Sequence, residues 1–181
     1  MPARTLALTP APGGATTTLR DVKVAAADAA GDRVVVVRNR PPENATLELR
    51  ALPSLDVVWS VALDHPATGV ALDLAASLVA VSSGSDVELR ALADGALRQT
   101  VLVPGAIPVA FRDGARLLLV QEETLSVLRL PVGSELPRIV PAFVAHRGGV
   151  AAVAFSADAH WLATGGARGD LLLFSVTPPT P

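Results

Sequence analysis

The sequence predicts an all-β protein: an array of four repeats, each folding as a four-stranded antiparallel sheet. Three observations carry this. First, a short phrase recurs in one register. Val70-Ala71-Leu72, five residues and Leu78-Val79-Ala80 return as Val109-Ala110-Phe111 with Leu117-Leu118-Leu119, and as Val153-Ala154-Phe155 with Trp161-Leu162-Ala163. A looser copy, Val24-Ala25-Ala26 with Val34-Val35-Val36, precedes them, and the steps between copies are 46, 39 and 44 residues. A period of that size marks a repeat architecture. Second, Glu48-Leu49-Arg50-Ala51-Leu52 recurs as Glu88-Leu89-Arg90-Ala91-Leu92, 40 residues later. Third, the apolar residues follow a period of two or run continuously, and no 3.6-residue period competes.

Taken in order, the first repeat opens on Val22, Val24 and Ala26, which precede a turn at Ala30-Gly31-Asp32. Residues 33–38 then carry four consecutive valines, β-branched and poorly suited to a helix. A Pro-Pro-Glu-Asn loop at 41–44 leads to residues 46–52, alternating apolar and polar. Pro53 and Ser54 turn the chain, and residues 57–63 make the fourth strand. The second repeat reads as strands over 69–73, 78–81, 86–92 and 97–103, with Asp94-Gly95 a hairpin signal. The third reads as 107–112, 116–120, 124–130 and 138–144. The fourth reads as 149–156, 161–164 and 170–176 and lacks an outer strand, because the prolines of 177–181 have no N–H to donate. The expected organisation is an N-terminal strand and flexible lead-in over 1–19, with the Thr-, Gly- and Pro-rich part at 9–18. Repeats of about 20–64, 65–104, 105–145 and 146–176 follow, then a Pro-rich tail.

Composition narrows the function classes. The 181 residues suffice to bury roughly two-thirds of the unfolded surface. Half of them are apolar, yet only four are Phe, two Trp and none Tyr, so the core is built from Val, Leu and Ala. A net charge of −2 gives no global field for nucleic acid or an anionic membrane. Lys23 is the one lysine among 15 basic residues, a composition bias more than a binding signature. Cysteine is absent, which removes disulfides and thiolate metal sites. No stretch approaches the ~20 apolar residues of a membrane span, and the N-terminus lacks a signal-peptide pattern. A soluble, cytoplasmic protein is expected.

The last repeat resembles a WD40 repeat. The resemblance rests on His146, Phe155, Ser156, Asp158 and Leu162 at the family's spacing, with Ala145 and Phe174 where Gly and Trp are usual. Arg50, Arg90 and Leu128 occupy the Trp position in earlier repeats, and no Trp-Asp dipeptide occurs. What the resemblance implies is a β-propeller-like array of four four-stranded antiparallel blades. It also implies structural turn roles for His146 and Asp158, and a non-catalytic scaffold that holds another protein. Blades are buried on both faces, which suits the continuous apolar runs at 34–37, 117–120 and 171–174. The Ala after each Val (Ala25, Ala71, Ala110, Ala154) suits crowding of the innermost strands.

Catalysis has little support in the residues. The acid–imidazole neighbours are Asp64-His65 and Asp158-Ala159-His160, and zinc or base chemistry needs more converging groups than either pair supplies. An Asp at a turn more often bonds its own backbone. Arg50 and Arg90 suggest a phosphate or acidic-peptide site, but stems on apolar surface with heads on a carboxylate is the plainer reading. Arg112, Arg116, Arg147 and Arg168 fall in turns and would share a partner-binding rim if the repeats stack. The alternative is a lactonase-like propeller hydrolase with an axial metal. It needs polar ligands where the first strands start, and those places read Thr68-Gly69-Val70, Ile107-Pro108-Val109 and Gly149-Val150. No metal, cofactor or nucleic acid is expected.

Closure is the remaining question. Residues 4–8 form a strand-like run which, joined to the fourth repeat, would close a ring and remove two exposed edges. The competing arrangement is an open arc completed by a second copy of the chain or by another propeller fragment, and this reading leans to assembly with another chain.

Overall fold

The structure is a computed structural model that describes residues 5–8, 16–28, 31–38, 45–74, 76–112, 116–130, 137–144, 146–156 and 161–175. Every regular element among them is a β-strand, and each sheet is antiparallel with neighbours in chain order. The chain divides into two compact units, Met1–Pro104 and Gly105–Pro181.

The first unit opens with a two-stranded sheet of β1 (Thr5–Leu8) and β2 (Thr17–Arg20). This differs from the expected lead-in. Thr17 and Thr18 lie in a strand, and β1 takes β2 as its partner among the described residues, not the fourth repeat. Because β2 can pair with β1 at short sequence separation, the nearer edge is the one occupied. A sheet of β3 (Val22–Ala27), β4 (Arg33–Arg38), β5 (Thr46–Ala51) and β6 (Val57–Ala62) follows. The next comprises β7 (Val70–Asp73), β8 (Leu78–Ser83), β9 (Asp86–Ala91) and β10 (Leu97–Leu102).

The second unit holds a sheet of β11 (Ile107–Arg112), β12 (Arg116–Gln121), β13 (Thr124–Arg129) and β14 (Arg138–Val144). Its last sheet has three strands: β15 (Val150–Phe155), β16 (Trp161–Gly166) and β17 (Leu171–Ser175). Three sheets are thus four-stranded and the fourth is three-stranded among the described residues.

The repeats agree in irregularities as well as in strands. A register shift interrupts β3, β11 and β15 near their starts, and another interrupts β6, β10 and β14. Such bulges bend a strand and increase its twist. Pro108 sits at one of them, where a missing N–H costs least.

Burial explains the continuous apolar runs at 34–37 and 117–120, whereas that at 171–174 departs from the expectation: Leu171, Leu172 and Leu173 are exposed in β17, which no further sheet follows among the described residues. Val35, Val36 and Val37 in β4 are fully buried, as are Val79, Ala80 and Val81 in β8. Side chains alternate across a strand, so both faces of these middle strands are covered. One core joins Val35, Val37, Leu47 and Leu49 to Val70, Val79, Val81 and Leu92, binding the first two four-stranded sheets together. In the second unit Leu118, Val120, Leu125 and Leu162 form a core with Val109, Val150 and Phe174 against it. The first-strand alanines are less uniform than expected. Ala71 is buried and Ala110 half-buried, while Ala25 and Ala154 are exposed.

Candidate binding surface

The Glu-Leu-Arg echo builds the same device twice. In β5, Glu48 and Arg50 are two residues apart and share a face. Arg50 Nε donates to Glu48 Oε2 at 2.7 Å and its Nη1 to the Leu55 carbonyl at 2.5 Å. In β9, Arg90 Nε donates to Glu88 Oε2 at 2.7 Å and Nη1 to the Gly95 carbonyl at 2.9 Å. Each guanidinium thus clamps the following hairpin to its own strand. Leu55 and Gly95 are equivalent turn residues, and both take positive φ, 63° and 73°. Glu48 also meets Arg38 at 3.4 Å, whose Nε donates to the Arg20 carbonyl at 3.1 Å. The three charges of that network are buried. These arginines are held by carboxylates within the fold, as the plainer reading expected.

His146 has an equally internal role. Its Nδ1 pairs with Asp170 Oδ2 and its Nε2 lies 2.8 Å from Thr164 Oγ1. An ionised carboxylate only accepts, so the Nδ1 proton points to Asp170 and a neutral ring accepts the threonine hydroxyl at Nε2. The hydrogen bond from His146 holds the Asp170 carboxyl below its ordinary value of 3.8. A Cβ on Gly166 would overlap Asp170 Oδ1 and sit 2.7 Å from His146 Nδ1, so only glycine fits there. The Thr–His–Asp order imitates a hydrolase relay, but His146 is 2% and Thr164 1% exposed, which leaves no room for a substrate at that hydroxyl. The relay ties the loop before β15 to the β16–β17 turn.

Asp158 and His160 lie outside the described residues. Asp64 and His65 are exposed, and a Cβ on Gly84 would come within 3.2 Å of the His65 ring. No group of three or more His, Cys, Asp or Glu among the described residues is arranged to hold a metal.

The four rim arginines divide between opposite ends of the strands. Arg147 and Arg168 are exposed, on the loop before β15 and on the β16–β17 turn. That loop meets the β12–β13 turn: Gly148 N donates to Glu123 Oε1 at 2.6 Å, and Val150 N to the Glu122 carbonyl at 3.0 Å. Arg112 and Arg116 are at the other end of β12, about 17 Å away at the usual rise per residue. There they form part of a row. Arg112 pairs in register with Arg116, Arg116 with Arg129, and Arg129 with Arg138. Arg129 and Arg138 are exposed and Arg116 is half-buried.

Thr164, Asp170, Arg129 and Arg138 were not singled out by the sequence reading. The Arg116–Arg129 facing was legible in principle, because residues equidistant from the two-residue turn Glu122-Glu123 pair with each other.

No protein-family model matches the sequence, and no curated protein matches it. The fold is nonetheless recognisable as a WD40-like β-propeller fold. A solved structure of the mitotic checkpoint complex aligns with 96% of this chain at TM-score 0.70 and 15% identity, over 57% of that chain. The Cps50 (Swd1) β-propeller domain of Myceliophteria thermophila aligns over 96% of this chain and 57% of its own at TM-score 0.60 and 14% identity. Kluyveromyces lactis Hsv2 aligns over 89% and 50% at TM-score 0.58, again at 14% identity. The chain therefore spans about half the length of the structures it matches.

Proposed function

We propose that this chain is a non-catalytic platform that binds another protein through the ends of its strands. One observation supports this above others. The buried polar side chains of the Glu–Arg clamps and the His146 relay are engaged in holding turns, whereas exposed arginines gather at the strand ends. Turns fixed in that way present side chains at low entropic cost, which favours recognition. The matched structures include an assembly, the mitotic checkpoint complex. An axial-metal hydrolase has no His or acidic cluster among the described residues to carry it.

Pairing with a second copy of this chain or with another propeller fragment is part of the proposal, supported by the exposed apolar side chains Leu171, Leu172 and Leu173 of β17. Light scattering behind a sizing column tests this, with a species of twice 18.5 kDa expected for the pair. A cytoplasmic location is part of the proposal and is checked by cell fractionation. Affinity capture from the native lysate tests the platform itself. A stoichiometric protein partner is expected, and its absence together with a measurable metal-dependent hydrolysis would overturn the reading.

A further inference from the structure

We propose that the bare face of the last sheet, β15–β17, is the seat of the same face of a second copy of this chain, the two packing about a two-fold axis. This deepens the pairing proposed for the chain and rests on it.

In two of the four-stranded sheets the third strand buries leucines against the sheet that follows. Leu47 and Leu49 of β5 share a core with Val70, Val79 and Val81 of the next sheet, and Leu125 of β13 shares one with Leu162. All three leucines are fully buried. Leu171 and Leu173 lie on the corresponding face of β17, where they face Gly165 and Ala163 of β16 across the ladder. They are 74% and 62% exposed, and no sheet follows among the described residues. The other face of the same sheet is covered, because Leu162 and Phe174 belong to the core with Leu118 and Leu125. The last sheet therefore has one packed face and one bare apolar face, built from the same kind of residue.

The bare face is complementary to itself. Leu171 and Leu173 form a ridge along the edge strand, and Ala152, Ala154, Ala163 and Gly165 form a flat shelf beside it. A Cβ on Gly165 would meet only Ala152 Cβ, at 3.7 Å, so the shelf is open. Facing sheets pack about 10 Å apart, and large residues set against small ones fill that space without voids. A two-fold axis lays each ridge on the other copy's shelf, so that one surface serves both partners. Trp161 and Ser175 complete the face, which carries no charge and so opposes no like charges when paired with itself. Head-to-tail pairing would instead need the matching apolar face of the first four-stranded sheet. That face is taken: Val34 and Val36 are buried, with Leu19 of β2 packed against them. Between backbone axes the bare face measures roughly 10 by 17 Å. This is less than a standard interface, so the pair belongs to the weak, concentration-dependent class.

The test is light scattering of the full chain from about 1 µM to about 1 mM, the range in which a contact of this size dissociates. The mass is expected to rise towards twice 18.5 kDa. Leu171→Lys with Leu173→Lys charges the ridge, and Ala152→Glu with Ala154→Glu charges the shelf. Each double variant is expected to weaken the pair about tenfold or more, because the new charges would be buried unpaired. An equimolar mixture of the two should pair again, since the Lys ridge of one then meets the Glu shelf of the other. Leu102→Glu, at an exposed leucine of β10, should leave pairing unchanged. All these positions are exposed, and circular dichroism melts show that the variants fold. Pairing retained by either double variant, or no recovery in the mixture, overturns the inference. Retained pairing leaves a dimer formed through another surface, whereas a monomer at every concentration removes both this inference and the pairing it rests on. A different protein captured from lysate by the unaltered monomer but not by the Lys ridge would likewise overturn it, with that protein as the occupant of the face.

Discussion

Glu48 neutralises two buried arginines at once, and its removal should be the most damaging single polar change in the first unit. Its Oε2 accepts from Arg50 Nε at 2.7 Å, and its Oε1 lies 3.4 Å from Arg38 Nη1. All three residues are at most 9% exposed. Glu48→Gln keeps the shape of the side chain and deletes the charge, leaving Arg50 with no carboxylate and Arg38 with only the more distant Asp21, at 4.0 Å. Removing one partner of a buried ion pair costs about 3–5 kcal/mol. For a unit near 100 residues that corresponds to a fall in Tm of about 15–25 °C. Glu88→Gln uncovers one arginine instead of two, and Arg90 is less buried, so about 1–3 kcal/mol is expected. The assay is urea unfolding followed by tryptophan fluorescence. Trp59 faces Leu49 across β5 and β6 and reports on the first unit, and Trp161→Phe silences the second. Glu48→Leu combined with Arg50→Leu should cost less than Glu48→Gln alone, since it leaves one arginine, Arg38, without Glu48 instead of two, and Asp21 Oδ2 lies 4.0 Å from that one. A Glu88→Gln loss equal to or larger than that of Glu48→Gln would refute the reasoning.

Gly95→Ala should cost about 2 kcal/mol or more and shift Trp59 emission, because φ is 73° and the new Cβ would lie 2.9 Å from Trp59 Cε3. Gly105→Ala, at φ 72° with open space around it, should cost only the backbone part of about 1 kcal/mol. Asp170 has a folded pKa below its ordinary 3.8, chiefly through the hydrogen bond from His146, so its stabilisation is full above that value. It is lost as pH falls through the lowered folded value. Asp170→Asn should therefore abolish the acid-side loss of stability that Trp161 fluorescence records below pH ~4. Gly166→Ala should unseat His146 from Asp170, seen as the loss of that same pH dependence together with a lower melting temperature.

The repeat step and the β-branched runs by themselves determined an all-β chain of sequential antiparallel sheets. Strand pairing between sequence neighbours is local, and Val34–Val37 or Leu117–Val120 can only be buried on both faces. The Glu-Leu-Arg-Ala-Leu echo also carried its own geometry. Residues two apart on a strand share a face, so Glu48 with Arg50 and Glu88 with Arg90 had to meet. Other features belong to the tertiary structure alone. His146 and Asp170 are 24 residues apart, and their contact exists only once β15, β16 and β17 are in register. Asp158, the acidic residue the sequence made conspicuous, lies outside the described residues. Arg112, Arg116, Arg147 and Arg168 look alike in the sequence, each beside a turn. Which end of a strand each occupies depends on strand direction, and that parts them into two groups. Alignment of Arg138 with Arg129 depends on a connection whose length fixes no register. The pairing of β1 with β2 is local, but it is visible only in the structure, because composition and periodicity do not mark Thr17–Arg20 as a strand.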